Sequence, residues 1–405
     1  MQDTPKANRL HIAIFGRRNA GKSSLINALT NQDIALVSDV PGTTTDPVFK
    51  AMEILPLGPC MIIDTAGIDD VGPLGELRIQ KTRSVLNQTD LALLVIDPQS
   101  GISEFELELK RQILDKKIPL VGVVNKLDLG TYDVKRMESE LGIHLVKISS
   151  VTQSGIPELK EQIIQAAPLD FEEPHIVGDL IDPGDVVVLV VPIDSAAPKG
   201  RIILPQVQTI RDILDNDAIA ITVKERELRE ALARLNAKPR LVVTDSQAFL
   251  KVAADTPDDV LMTSFSILFA RYKGDLMELV KGARAIETLQ PGDKVLIAEA
   301  CTHHRQADDI GKVQIPRWLR QYVGGDLEFS WWSGTGYPEN LEDYKLIVHC
   351  GACMINRRQM LYRIHLAKEK GVPIVNYGVL LAWVHGILDR ALKPFPSVRT
   401  EFSGQ

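Results

Sequence analysis

The stretch IAIFGRRNAGKSSLINALT, residues 12–30, decides the fold of the first part of the chain. Residues 16–23 fit the phosphate-loop pattern G-x4-G-K-[ST], which here follows a predicted strand and opens a predicted helix, as the pattern requires. The glycines let backbone N–H groups close around phosphates, and the helix N-terminus adds a favourable dipole. We expect Lys22 to reach the β- and γ-phosphates and Ser23 to bind Mg2+ through its hydroxyl. Within this segment, nucleotide contacts are predicted from Gly16, Asn19, Ala20, Gly21, Lys22, Ser23 and Ser24.

Two further segments are expected to complete the magnesium and phosphate end of the site. Asp64-Thr65-Ala66-Gly67 ends the predicted strand MIID, where Asp64 can hold a water molecule on Mg2+ and the Gly67 amide can meet the γ-phosphate. The segment PGTTTD, residues 41–46, supplies a switch hydroxyl for Mg2+, and of its threonines we favour Thr44. The predicted catalytic residues are therefore Lys22, Thr44, Asp64 and Gly67.

A third segment is expected to choose the base. Asn125-Lys126-Leu127-Asp128 ends the predicted strand LVGVV. A carboxylate at Asp128 can accept both N1–H and N2–H2 of guanine, whereas adenine would leave that charge unpaired. Ile148-Ser149-Ser150 lies where a base-cradling loop belongs, so we expect the Ser149 amide to contact guanine O6. The sequence therefore predicts GTP as the nucleotide, with contacts from Asn125, Lys126, Asp128, Ser149 and Ser150.

The composition limits the class of protein. Of the 405 residues, 45% are hydrophobic and 24% are charged, as in ordinary globular proteins. A formal net charge of −7 argues against a broad electrostatic grip on nucleic acid or on an anionic membrane. The apolar run VVVLVV at 186–191 is far short of the ~20 residues that span a bilayer. The first ten residues lack an apolar signal-peptide core, so we expect a cytoplasmic protein. Because of the net charge and the short apolar run, we expect no nucleic-acid partner and no membrane partner.

The chain divides into three blocks. Strand-like runs alternate with amphipathic helical patterns over residues 9–166 and again from about residue 257, which predicts parallel sheets covered by helices. We predict an α/β protein with an N-terminal P-loop GTPase domain at 1–167, a linker at 168–185, a small α/β domain at 186–256 and a parallel α/β domain at 257–405. The middle block is short, so its core is expected to need help, and oligomer contacts are one source.

The four cysteines are too few for a disulfide framework and are unevenly placed. Cys60 is expected to be a buried thiol that acts as a small hydrophobic residue. Cys301-Thr302-His303 follows the strand KVLIAEA, and His349-Cys350-Gly351-Ala352-Cys353 follows KLIV. If these strands are neighbours in a parallel sheet, their carboxyl ends bring both clusters to one rim. The donors suit either a tetrahedral zinc site or an iron–sulfur site with three thiolates.

The first block resembles the small GTPase fold over about residues 8–167. The forms GRRNAGKSS and PGTTTD are most similar to the branch of tRNA-modification and ribosome-assembly GTPases, the TrmE–Era group. In that branch an asparagine of the phosphate loop coordinates K+, which by position implies Asn19 here. Ile68 stands where Ras-like enzymes place the water-orienting glutamine, so the resemblance implies slow intrinsic hydrolysis that K+ stimulates.

The whole chain resembles HydF, the family of [FeFe]-hydrogenase maturation GTPases, because the C-x-H and H-C-x-x-C clusters follow the GTPase motifs and a small middle block. The resemblance implies a [4Fe-4S] cluster held by Cys301, Cys350 and Cys353, on a scaffold that carries the transient two-iron subcluster precursor of the hydrogenase. It also implies radical-SAM maturases that load the scaffold, an apo-[FeFe]-hydrogenase that receives the precursor, and a homodimer or higher oligomer formed by the middle block.

Two points stay open from the sequence. The fourth iron is expected to take an exchangeable ligand other than cysteine; His303 and His349 are candidates, and His304, Asp308 and Asp309 lie within loop reach. The second point is the metal itself, because the same motifs would suit a zinc-containing RNA- or ribosome-associated GTPase. A GTP-binding module without turnover is a third interpretation.

Overall fold

The computed structural model describes residues 5–30, 48–65, 82–168, 175–192, 202–300, 309–334, 337–338 and 340–403. The chain forms two compact units, Met1–Glu172 and Glu173–Gln405. In the part of the chain that the structure describes, no helix has the length and apolar character needed to cross a membrane.

The first unit is built on a six-stranded sheet in the order β2-β3-β1-β4-β5-β6. Among the strand pairings that the structure describes in this sheet, β2–β3 is antiparallel and the others are parallel. The strands are β1 (Leu10–Phe15), β2 (Val48–Ile54), β3 (Gly58–Asp64), β4 (Leu91–Ile96), β5 (Leu120–Val124) and β6 (Leu145–Lys147). The α-helices described in this unit are α1 (Lys22–Thr30), α2 (Glu104–Asp115), α3 (Val134–Leu141) and α4 (Ile156–Ala166). The predicted N-terminal P-loop GTPase fold is confirmed.

The central strand β1 explains why the first unit has a core on each face of its sheet. Every residue of its sequence LHIAIF is buried. Ile12 and Ile14 belong to one hydrophobic cluster, whereas Ala13 and Phe15 belong to another. Successive side chains of a strand point to opposite faces, so a continuous apolar run fits a strand that helices cover on both sides.

The second unit contains two four-stranded sheets, and all strand pairings in them are parallel. The first has the order β10-β9-β7-β8 and consists of β7 (Val186–Val190), β8 (Ile219–Val223), β9 (Leu241–Thr244) and β10 (Leu261–Ser264). The second has the order β12-β11-β13-β14 and consists of β11 (Lys294–Glu299), β12 (Glu328–Ser333), β13 (Leu346–His349) and β14 (Ile374–Asn376). The predicted parallel α/β fold of the C-terminal region is confirmed.

The helices of the second unit lie between and after these strands. They are α5 (Leu204–Asp215), α6 (Leu228–Arg234), α7 (Phe249–Asp255), α8 (Phe265–Lys273), α9 (Leu276–Ala283), α10 (Ile315–Val323), α11 (Arg357–Glu369), α12 (Tyr377–Val384), α13 (Leu388–Leu392) and α14 (Pro396–Ser403). Short 3-10 segments occupy Lys6–Asn8, Leu127–Leu129, Gly178–Leu180, Ser246–Ala248, Arg284–Thr288 and Leu341–Asp343, and a π-helical turn spans Ile310–Gln314.

The middle block shares its core with the C-terminal block. One hydrophobic cluster contains Val188 of β7, Phe269 of α8 and Ile297 of β11. Strand β10 pairs with β9, so the middle sheet continues past the expected boundary at residue 256. Ile176 and Val177, which fall inside the expected linker, are buried in the same cluster. Part of the help that the short middle block needs therefore comes from within the chain.

Candidate functional site

The phosphate loop is closed around its lysine. Lys22 is buried, and its Nζ donates to the carbonyl oxygens of Gly16 and Arg17, at 2.8 Å each. Asn19 and Gly21 have positive φ angles of 61° and 86°. A Cβ added to Gly21 would lie 2.3 Å from Nδ2 of Asn125, so this close approach requires glycine. The ammonium group thus lies inside the loop, as its predicted role at the phosphates requires.

Ser23, a predicted magnesium ligand, meets Asp64, the residue predicted to hold a water molecule on Mg2+. β1 pairs with β3, and Ser23 Oγ at the start of α1 donates to Asp64 Oδ2 at 2.9 Å. Burial raises the pKa of the Asp64 carboxyl, while the Ser23 hydrogen bond and the Lys22 charge oppose that rise. Hydroxyl and carboxylate oxygens side by side are the donors that Mg2+ prefers. Thr44 and Gly67, the other predicted catalytic residues, lie outside the described residues.

Asn125 connects the base-binding segments to the phosphate loop. Its Nδ2 donates to Ala20 O at 3.2 Å and Gly21 O at 3.4 Å. Its Oδ1 accepts from the backbone N–H of Ser150 at 3.0 Å and from Ser150 Oγ at 2.9 Å. Only 1% of Asn125 is exposed, so its own side chain is shielded from water. Asn125 therefore acts as a brace between two loops.

Ser149 donates two hydrogen bonds within the protein. Its amide N–H, predicted to contact guanine O6, donates to Ser154 O at 3.0 Å. Its hydroxyl instead donates to Asp128 Oδ1 at 2.6 Å. A hydrogen bond of this kind fixes the rotamer of the carboxylate that is predicted to read guanine. Sequence reasoning missed this contact because it joins residues 21 positions apart.

Two ion pairs beside the nucleotide motifs were also not predicted. Arg17 of the phosphate loop pairs with Glu106 at 2.6 Å, and Lys126 pairs with Asp97 at 2.7 Å. The only sequence signal for either was the S-x-x-E pattern of Ser103 and Glu106, which is typical of a helix start.

In the sequence, the two cysteine clusters follow two strands that are neighbours in the sheet. This is the arrangement that the two clusters need if they are to form one site. β11 and β13 pair in parallel with Ala298 opposite His349. The Ala300 N–H, one residue before Cys301, donates to Cys350 Sγ at 3.1 Å. Ala352 has a φ of 56°, which lies in the left-handed region that non-glycine residues seldom adopt. Cys301, His303, His304 and Asp308 lie outside the described residues, and within the described part no three metal-ligating side chains form a group.

Both ring nitrogens of His349 are engaged within the protein. Arg363 can only donate, so its Nη1, 2.7 Å away, gives a hydrogen bond to His349 Nε2, and Nδ1–H donates to Cys350 O at 2.8 Å. Burial, together with the Arg363 charge, lowers the pKa of His349 to about 3. The imidazole is therefore neutral and held by Arg363 of α11, whose guanidinium also bonds to Gly334 O and stacks 5.1 Å from the Tyr337 ring.

Among the other candidates, Asp309 lies at the start of the π-helical turn. Its Oδ1 accepts the N–H groups of Gly311 at 3.0 Å and Lys312 at 2.9 Å. This is the role of an N-cap, so the carboxylate is committed to local structure. Cys60, predicted to be buried, is fully buried in β3, which confirms that expectation.

Comparison with known families accounts for most of the chain. The model of the hydrogen maturase F dimerization domain matches residues 176–274, and that of the hydrogen maturase F tetramerization domain matches residues 277–394. The chain belongs to the hydrogen maturase F family. A third model, described as a 50S ribosome-binding GTPase, matches residues 11–126 of the P-loop domain. The family membership predicted from the C-x-H and H-C-x-x-C clusters is thus confirmed.

Individual relatives match the GTPase domain. The tRNA modification GTPase MnmE of Synechococcus sp. (strain JA-3-3Ab) is 36% identical over 168 residues, which are 41% of this chain and 35% of that protein. MnmE of Aquifex aeolicus is 36% identical over 163 residues, 40% of this chain and 35% of the relative. The hydrogen maturase F chain thus spans about a third of the length of these relatives.

Solved structures are also similar to part of this chain. Era of Aquifex aeolicus bound to GDP.AlF4- has a TM-score of 0.36 and 20% identity, and the match covers 56% of this chain and 98% of Era. The G domain of the T. maritima FeoB iron transporter has a TM-score of 0.31 and 29% identity, over 39% of this chain and 98% of that domain.

Proposed function

We propose that this hydrogen maturase F chain is a GTP-hydrolysing iron–sulfur scaffold that carries a two-iron subcluster precursor to apo-[FeFe]-hydrogenase. The observation that carries the proposal is the parallel pairing of β11 with β13, the strands that precede Cys301 and Cys350 in the sequence, in a chain whose phosphate loop surrounds Lys22. Domains of the hydrogen maturase F family on the same chain support the link to hydrogenase maturation.

GTP hydrolysis is assigned to the first unit. Lys22 would neutralise the β- and γ-phosphates, and Ser23 with Asp64 would hold Mg2+ directly and through water. Asp128, oriented by Ser149, would select guanine. Thr44 and Gly67 are proposed to complete the site from the switch segments, and Asn19 is proposed to bind K+. Without a glutamine at position 68, turnover is expected to be slow until K+ is added.

The cluster site is assigned to Cys301, Cys350 and Cys353. The Ala300 N–H that points at Cys350 Sγ fits a thiolate ligand, because an amide donor stabilises negative charge on sulfur. A [4Fe-4S] cluster bound here would supply an iron whose fourth ligand is exchangeable. His349 is proposed to position the Cys350 loop through its bond to Cys350 O, since Arg363 already occupies Nε2. His303 stays the histidine candidate for the fourth iron.

Binding of the maturases and of the apo-hydrogenase is assigned to the oligomer of this chain. Radical-SAM maturases would load the precursor, apo-hydrogenase would receive it, and the dimerisation and tetramerisation domains would build a homodimer or higher oligomer. GTP turnover is proposed to control partner association, because the phosphate loop and the three proposed cluster ligands, here called the cysteine rim (Cys301, Cys350 and Cys353), belong to different compact units.

Metal analysis of anaerobically purified protein tests the proposal. Wild type is expected to contain iron and sulfide with a [4Fe-4S] EPR signal after reduction, and Cys353→Ser is expected to lose most of both. Cys60→Ala, which changes a thiol outside the rim, is the matched control and should keep them. One zinc per chain without colour would contradict the proposal and favour the zinc-containing RNA-associated GTPase that the MnmE likeness would suit.

A further inference from the structure

The second residue of the phosphate loop is anchored far from the loop itself. Arg17 Nε donates to Glu106 Oε1 at 2.6 Å, and its Nη2 donates to Gly101 O and, at 3.4 Å, to Ser100 O. Glu106 is only 1% exposed, and the Arg17 side chain is 22% exposed. A pair so shielded from water is screened little by salt. The guanidinium is therefore fixed by a buried carboxylate and two carbonyl groups.

Glu106 is itself held rigidly. It is the third residue of α2, and its Oε2 accepts from the Ser103 N–H at 2.9 Å and from Ser103 Oγ at 2.6 Å. This arrangement is a capping box, and the helix N-terminus further favours the negative charge. The two carboxylate oxygens thus have separate tasks: Oε2 caps the helix, and Oε1 holds Arg17.

Residues 97–106, here called the strap, also contact the base-binding motif. Asp97 Oδ2 pairs with Lys126 Nζ at 2.7 Å. Asn125, next to Lys126, bonds to the other end of the phosphate loop at Ala20 and Gly21. The loop is therefore fastened on both sides, by the strap through Arg17 and by Asn125.

We propose that Glu106 is a positioning residue for nucleotide binding that acts through Arg17. A loop with glycines at positions 16 and 21 is costly to order, so a contact that orders it beforehand raises affinity. Neither side chain needs to touch the nucleotide for this effect. Such a contact stabilises the ground state and transition state equally, so it lowers KM and Kd without changing kcat. The inference rests on the GTP-binding part of the proposed function.

The test is a titration of the full chain with fluorescent mant-GDP, together with steady-state GTP hydrolysis. Glu106→Gln and Arg17→Gln are each expected to raise Kd and KM about tenfold, the loss typical of one charge-assisted hydrogen bond, with kcat within about twofold. The double variant should be no weaker than either single variant, because both remove the same contact. Arg17→Gln keeps the test valid if Glu106→Gln misfolds.

Ser103→Ala is the matched control. It removes the hydroxyl from the Oε2 side of Glu106 and should lower the Tm of the GTPase domain, yet leave Kd within about twofold because Arg17 keeps its anchor. Wild-type Kd in Glu106→Gln and Arg17→Gln, additive effects in the double variant, or an equal rise of Kd in Ser103→Ala would overturn the proposal. Failure of the wild type to bind mant-GDP would instead remove the GTP-binding function on which it rests.

Discussion

At the scale of single residues, the cysteines show how position decides chemistry. Cys60 lies inside β3, and burial raises the pKa of its thiol to about 11. Cys350 is half-buried at a strand end and accepts an amide hydrogen bond. The sequence could separate these two cysteines because one lies in a strand-like run and the other in a Gly/Ala loop.

Cys60 should accordingly be inert in the folded protein. The thiolate is the reactive form, and a raised pKa leaves about one thiol in a thousand ionised at pH 8. Iodoacetamide at that pH, followed by peptide mass spectrometry, should find Cys60 unmodified in native protein and alkylated after denaturation. Equal modification in both states would show that the thiol is accessible.

Arg363 should contribute strongly to stability. Arg363→Leu would leave the buried Nε2 of His349 without its donor and is expected to lower the free energy of unfolding by about 3 kcal/mol. Urea denaturation of the apo-protein measures this loss. Lys368→Ala on the same helix removes an exposed ion pair with Glu278 and should cost less than about 1 kcal/mol. Similar losses in the two variants would count against the buried pair.

At the scale of elements, the sequence predicted those helices and strands that a local motif encodes. The G-x4-G-K-S pattern located a strand, a loop and a helix correctly, because its glycines and its position have few structural solutions. The S-x-x-E signal of α2 is equally local. The Glu106 of this signal pairs with Arg17, which is 89 residues away, and no periodicity of the sequence predicts such a contact. The place of strand β10 in the middle sheet was not predicted for the same reason, because it depends on pairing with β9.

The packing of helix α9 against strand β14 can be tested at Gly282. A Cβ on Gly282 would lie 1.9 Å from the carbonyl oxygen of Ile374 in β14, so Gly282→Ala would force the helix away from the sheet. We expect a loss of about 3 kcal/mol in the free energy of unfolding, at the upper end for overpacking. Lys281→Ala, one residue earlier and 48% exposed, is the control and should change stability little. A neutral Gly282→Ala would contradict the packing described.

At the scale of the whole molecule, the chain combines a nucleotide-binding unit with a unit that carries the cysteine rim. The order of these parts could be predicted because each has its own motif. The shared core of the middle and C-terminal blocks could not, since it depends on which apolar faces meet across more than a hundred residues.

If GTP turnover controls partner association, the two functions should separate by mutation. Lys22→Ala is expected to abolish GTP hydrolysis while iron and sulfide content stay at the wild-type level, and delivery of the precursor should fall. Normal delivery of the precursor by Lys22→Ala would contradict the control role. Phosphate release and hydrogenase activation, measured on the same preparation, check both parts.

The most direct measurement of the central claim is activation of apo-[FeFe]-hydrogenase by this protein after co-expression with the radical-SAM maturases. We expect H2 evolution with wild type and with Cys60→Ala, and none above background with Cys353→Ser. Equal activation by wild type and Cys353→Ser, or no activation by wild type that contains its iron and sulfide, would contradict it.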